Sequence, residues 1–221
     1  MNIMIIIKMK TVLTITLLFI AVSGIRAQDT KSLLAEVSNK VRNYENIQID
    51  FKYSLQNSRE NVQQETQGNI VLKGEHYVLN MLGVTRIFNG KTIYTIVPED
   101  EEVTISAYDE REDKSISVSE MLTFYENGYT YKMDLLKNIR GRRIQFIQLK
   151  PIDTSEEIKN ILLGIDMKTK HIYQLIQTDS SGTSYTITVN SFKTNEAISK
   201  NLFTFDEEKF TKQGYYINKL D

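Results

Sequence analysis

The chain has no cysteine. That absence removes a disulfide framework, a thiol nucleophile, thiolate metal sites and lipid attachment at a cysteine. Tryptophan is also missing, and only two prolines interrupt the 221 residues. Histidine is the usual acid, base or metal ligand near neutral pH. It occurs twice, at His76 and His171, with no H-x-x-H or H-E-x-x-H spacing, and both read as surface residues. An excess of one charge is lacking too: 27 Lys and Arg against 28 Asp and Glu give a formal net charge of −1. Bulk electrostatics therefore point neither to nucleic acid nor to anionic headgroups. No serine lies in a G-x-S-x-G elbow, and the ten glycines fall mostly at turns rather than in a phosphate-cradling loop. Glu99 to Glu102 run together, which reads first as a hydrated loop and second as a weak cation site. Arg140, Arg142 and Arg143 make a basic turn, solubilising first and phosphate-binding second. Enzyme chemistry is not supported, and no metal or cofactor is implied.

What is present begins with an address. Lys8 and Lys10 precede an apolar run from Thr11 to Val22, followed by Ser23-Gly24-Ile25-Arg26-Ala27-Gln28. Positive, apolar, then a small residue is the order of a secretory signal peptide, with cleavage expected after Ala27. About a dozen apolar residues fall short of the roughly 20 of a membrane-spanning helix; an uncleaved anchor is the alternative. Met9-Lys10 opens a complete signal by itself, so Met9 is an alternative start to Met1. The sequence thus predicts a signal peptide over 1–27 and one domain over 28–221, free in the periplasm.

The composition is that of a globular protein, 41% hydrophobic and 25% charged, and rich in strand formers. Asp29 or Thr30 can cap a helix in which Leu33, Leu34, Val37, Val41 and Tyr44 recur at helical spacing. After Asn46 the period becomes two: Ile47, Ile49, Phe51, Tyr53 and Leu55 alternate with polar residues, the mark of a strand with one buried face. Further strands are predicted over 65–73, 77–82, 85–88, 91–97 and 103–108, with Asn89-Gly90 as a type I′ hairpin turn. Residues 109–114 read as a charged loop and 117–125 as a short helix stopped by Asn127-Gly128. A second meander follows over 129–136, 144–149, 158–166, 171–178 and 184–192. Strands about ten residues apart argue for a strongly curled sheet, a barrel or a sandwich.

Several of these stretches resemble a known family. The helix ending in Val41-Arg42-Asn43-Tyr44, the strand Ile49-Asp50-Phe51 and the segment Glu65-Thr66-Gln67-Gly68-Asn69-Ile70-Val71-Leu72-Lys73 are similar to the periplasmic outer-membrane lipoprotein carriers, the LolA-like proteins. So are Asn89-Gly90-Lys91-Thr92-Ile93-Tyr94, Leu163-Gly164-Ile165-Asp166 and Leu202-Phe203-Thr204-Phe205, in the same order along the chain. The resemblance implies a mainly β fold with a few α-helices, a single curved antiparallel sheet forming an unclosed barrel under a helical lid. It implies a monomeric carrier that accepts lipid-modified proteins from an inner-membrane lipoprotein-releasing ABC transporter and delivers them to an outer-membrane acceptor. One departure stands out. Many family members carry an arginine-proline pair after the Q-G-x-x-x-x-K strand, and that arginine tethers the lid; here Lys73 is followed by Gly74-Glu75.

Alternation and the resemblance together nominate Phe51, Tyr53, Ile70, Leu72, Leu79, Met81, Tyr94, Ile96 and Ile105 as the lining of an acyl-chain cavity. Leu33, Leu34, Val37, Met121, Leu122 and Phe124 are the lid candidates. The rival readings are a container for another lipid or hydrophobic ligand, and a non-enzymatic envelope protein with a filled interior that binds a partner through a sheet edge.

Overall fold

The computed structural model describes residues 29–108, 122–153, 155 and 157–220. Helix α1 runs through 29–42. A first meander follows: β1 (Ile47–Asn57), β2 (Val62–Lys73), β3 (His76–Met81), β4 (Val84–Phe88), β5 (Thr92–Val97) and β6 (Glu102–Ala107). A second comprises β7 (Tyr129–Ile139), β8 (Arg142–Pro151), β9 (Ile158–Asp166), β10 (Ile172–Asp179) and β11 (Ser184–Thr194), and the chain closes with α2 (Glu207–Lys212) and β12 (Tyr216–Leu220).

All twelve strands share one sheet in the order β12-β6-β5-β4-β3-β2-β1-β11-β10-β9-β8-β7. The two meanders join along a single seam, β1 against β11, from Ile47 opposite Thr194 to Gln56 opposite Ser184. A bulge sits on that seam: Asp50 faces Ser191 while Phe51 faces Val189, leaving Asn190 unpaired, which bends the sheet. Pairing is antiparallel except between β12 and β6. The end strands β7 and β12 are not neighbours, so the sheet is a mainly β, unclosed barrel with few helices.

Short polar side chains set the turns. Asn57, Asp166 and Asp179 each accept, through Oδ1, backbone N–H groups two to four residues ahead, so the chain reverses with its donors satisfied. Asn89 does the same for Lys91 and Thr92. Within this turn only Gly90 has a positive φ, +87°; a type I′ turn needs two such residues, so the expected geometry is replaced by an Asn-capped turn with one left-handed glycine. Of the expected helix over 117–125, residues 117–121 lie outside the described residues, as does the expected loop over 109–114. Phe124–Glu126 form a 3-10 turn.

Residues directly opposite in antiparallel strands share a face. The registers therefore gather Ile47, Ile49, Phe51 and Tyr53 with Ile70, Leu72, Tyr77, Leu79, Met81, Phe88 and Ile93 on one side. This is the concave side, which α1 covers at the other meander. On the convex side Val78, Ile87, Ile96 and Val103 are buried beneath a C-terminal segment that contributes Phe203, Phe205, Phe210 and Tyr215. Phe205 stacks on Tyr94 (ring centroids 4.6 Å apart, 22° between planes) and on Phe210 (5.1 Å, 20°).

Candidate functional site: the concave face

The concave face has two unlike halves. Under α1, Leu33, Leu34 and Val37 meet Ile147, Leu149, Ile161, Leu163 and Ile165 of β8 and β9. Val37 and those five strand residues are 0–1% exposed, so the sheet directly under α1 is packed solid. The half built on β1–β4 and β11 differs. Phe51, Ile70 and Leu72 are buried, but Tyr53, Leu79, Met81 and Ile187 beside them are only half-buried. Apolar side chains continue here past the cover that α1 provides.

Gly68 shapes this half. A Cβ at that position would lie 2.5 Å from Phe51 Cζ and 2.8 Å from the Asn80 carbonyl oxygen; the Phe51 ring lies over the bare glycine backbone, which a side chain would displace. The glycine of the family-like Q-G pair thus lets an aromatic ring approach the sheet backbone closely. Arg86 is the one charged side chain that the registers of β1–β5 bring to this face, opposite Leu79 and half-buried. Nothing in the run Val84-Thr85-Arg86-Ile87-Phe88 announced it, because strand parity is fixed by the turns on either side.

Several groups hold α1 in place. The buried hydroxyls of Ser38 and Tyr125 are hydrogen-bonded at 3.0 Å, and Ser38 also donates to the Leu34 carbonyl (3.1 Å). Burial pushes the Tyr125 phenol up to about 12, against the Ser38 hydrogen bond. Arg42 forms an ion pair with Glu126; burial raises the Glu126 carboxyl, but hydrogen bonds from Arg42 and Ser38 and the charge of Arg42 hold it below its usual value. Lys40 Nζ donates to the Thr169 carbonyl (2.7 Å) and Lys170 pairs with Glu36 (3.2 Å). Tyr44 Oη lies 2.9 Å from His171 Nε2, whose ring stacks on Phe192 at 4.0 Å. The His171 pKa is lowered, by burial first and by the Lys40 charge second, with Asp166 opposing. His171 is therefore a half-buried contact between the β9–β10 turn and the segment after α1, not the surface residue expected. Gly74, where many family members place the tethering arginine, lines a depression of about 430 Å³ with Val41, Arg42, Leu72 and Leu122.

The nine lining candidates separate by face. Phe51, Tyr53, Ile70, Leu72, Leu79 and Met81 lie together on the concave side. Tyr94, Ile96 and Ile105 do not: they take the opposite parity and pack beneath Phe205 and its neighbours. β5 is covered on both sides, so both of its faces are apolar, and alternation had no polar row to read. Among the lid candidates, Leu33, Leu34 and Val37 seal the solid half. Leu122 touches both halves, and Phe124 packs on Tyr125 and Tyr129 (5.5 and 5.7 Å). Met121 lies outside the described residues. The run at Glu99–Glu101 is exposed, and among the described residues no group of three or more carboxylates or histidines is placed to hold a metal.

Residues 42–206 match a family model described as outer membrane lipoprotein carrier protein LolA. No curated protein matches the chain. Among solved structures, an uncharacterized conserved protein from Thermus thermophilus aligns with a TM-score of 0.57 at 8% identity, over 86% of this chain and 99% of that one. LprF from Mycobacterium bovis gives 0.48 at 11% identity, over 79% and 96%. A LolA superfamily protein from Nitrosomonas europaea gives 0.42 at 13% identity, over 82% and 98%. At 8% identity the likeness to the Thermus thermophilus protein is one of fold.

Proposed function

The chain belongs to the family of outer membrane lipoprotein carrier proteins, LolA, and from that premise we propose that it is a non-catalytic periplasmic carrier. On this reading it leaves the cytoplasm by the signal over residues 1–27. It takes lipid-modified proteins from an inner-membrane ABC transporter, shields their acyl chains and passes them to an outer-membrane acceptor. The observation that carries the reading is the uneven cover of the concave face. The sheet under α1 is sealed, whereas Tyr53, Leu79, Met81 and Ile187 leave apolar surface half-open beside buried Phe51 and Ile70.

The energetics favour a container of this kind. Each acyl methylene removed from water is worth roughly 0.8 kcal/mol, so two or three chains cannot cross an aqueous compartment unshielded. A carrier must also release. Methionine and half-buried aromatic rings adapt to an ill-fitting chain without gripping one shape, and direction along the route comes from differences in affinity between donor, carrier and acceptor.

Ligands extracted from the exported protein and weighed by mass spectrometry test the reading. Acylated peptides are expected; free lipids alone would favour a container for another ligand. Leu79→Glu places a carboxylate on the apolar face and is expected to cut lipoprotein co-purification at least about tenfold, since a carboxylate is strongly disfavoured among apolar partners. Undiminished co-purification with the variant would remove Leu79 from the site.

A further inference from the structure

The near-zero net charge conceals a local division. Following the strands end to end, the β5–β6 turn with Glu99, Asp100 and Glu101 falls at the same end of the sheet as Asp153, Glu157 and Asp179. The β7–β8 and β9–β10 turns fall at the opposite end. They are neighbours there: the Met167 N–H donates to the Arg143 carbonyl at 2.9 Å. Between them they present Lys137, Arg140, Arg142, Arg143 and Lys168, all exposed.

Little offsets that charge. Among the described residues none of these five forms an ion pair. Lys170 is matched by Glu36, and Asp166 is buried with Oδ1 committed to the Lys168 and Thr169 N–H groups. Asp134 is the remaining carboxylate on the β7–β8 hairpin. Glu45 and Glu196 flank β1 and β11, the latter paired with β10, and Glu75 follows β2; among the described residues none of the three forms an ion pair with the five cations. Two of the cations lean on aromatic rings, Lys137 over Phe146 (5.4 Å) and Arg142 over Tyr173 (5.7 Å). A depression of about 750 Å³ opens between the turns, with Arg142, Arg143 and Lys168 on its wall.

Beside this end the sheet has an unusual edge. Strand β7 bulges between Met133, opposite Ile147, and Leu136, opposite Gln145. Leu135 and Leu136 are 60% and 49% exposed on this free edge. Single exposed leucines are ordinary, but an adjacent pair beside a cluster of uncompensated cations meets the two requirements of reversible membrane contact, apolar insertion and attraction to anionic headgroups.

We propose that the β7–β8 and β9–β10 turns, together with Leu135 and Leu136, form a docking surface for a bilayer that contains anionic phospholipid. The arginines and Lys168 engage headgroup phosphates, the depression admits a headgroup between the turns, and the two leucines enter the interface. The acidic opposite end turns away from the membrane, so docking is oriented. This contact is independent of cargo, and its outcome is separate from whether the concave face takes acyl chains.

The test is flotation of the protein, purified after export, with vesicles of phosphatidylglycerol and phosphatidylethanolamine or of phosphatidylcholine alone. Binding to the anionic vesicles is expected to exceed binding to the neutral ones by at least about tenfold and to weaken with added salt. R140Q/R142Q/R143Q should lower it about a hundredfold, at roughly a factor of five for each charge, while lysine at the same three positions should retain it. L135S/L136S should weaken it at least about tenfold at constant charge. Thermal melts confirm that the variants fold. Equal binding to both vesicle types, no partition into either, or a glutamine variant that binds as the parent does would each overturn the proposal, whatever acidic protein the same surface captured.

Discussion

Ser38 and Tyr125, 0% and 1% exposed, satisfy each other's hydroxyls between α1 and the 3-10 turn that leads into β7. Ser38→Ala leaves the Tyr125 hydroxyl buried without that partner, and the expected cost is about 1–3 kcal/mol in denaturant unfolding. Ser38→Ala combined with Tyr125→Phe should recover part of the loss, because no polar atom is then stranded; a double variant weaker than Ser38→Ala alone would contradict the pairing. His171 makes a second prediction. Its folded pKa lies below its ordinary value, so below about pH 6.5 the unfolded chain binds the proton more readily than the folded one. Stability is therefore present above that pH and falls as pH drops through the window beneath it. His171→Gln should flatten the slope of unfolding free energy between about pH 5 and 7, measured against the parent in the same buffers.

Elements were legible where one face is buried and the other wet. β1 shows this plainly, with Ile47, Ile49 and Phe51 buried and Gln48 and Asp50 outside, and β9 begins and ends where its pattern does. Legibility failed where cover came from distant sequence. α2 and β12 carry no strong period: Tyr216 is 68% exposed and Leu220 53%, and the partner of β12 lies more than a hundred residues away. The same C-terminal segment makes the convex face of β5 apolar, which is why Tyr94, Ile96 and Ile105 could not be told from a concave lining. Of the candidate site, the shared concave placement of six residues on β1–β3 followed from alternation with the family resemblance, whereas that of Arg86 and His171 depended on turn parity and tertiary contact. Phe205→Ala should test the convex layer: removing a half-buried ring stacked on both Tyr94 and Phe210 is expected to cost about 1–3 kcal/mol in denaturant unfolding.

On the scale of the molecule, α1 is both plug and cover. Its inward side, Leu33, Leu34 and Val37, belongs to a sealed core and resists removal, while the polar ties at its later turns are exposed. An exposed ion pair such as Arg42–Glu126 or an exposed hydrogen bond such as Lys40 to the Thr169 carbonyl contributes roughly 0–1 kcal/mol, so Lys40→Ala with Arg42→Ala should leave the thermal midpoint nearly unchanged. The same pair of substitutions should hasten amide exchange over the last turns of α1, beside the half-open face. Protection equal to the parent's would show that buried contacts alone hold that end.

The seam between β1 and β11 also governs assembly. Each meander can zip through neighbouring hairpins, but Ile47 must find Thr194 across about two thirds of the chain. Contacts so distant in sequence form late and slowly. Until β11 is in place, β1 waits with one margin bare, an invitation to a stray strand from another molecule. The nascent protein is thus most vulnerable to aggregation in the interval before its last long strand arrives, and a holdase acting on it would have that open margin to protect.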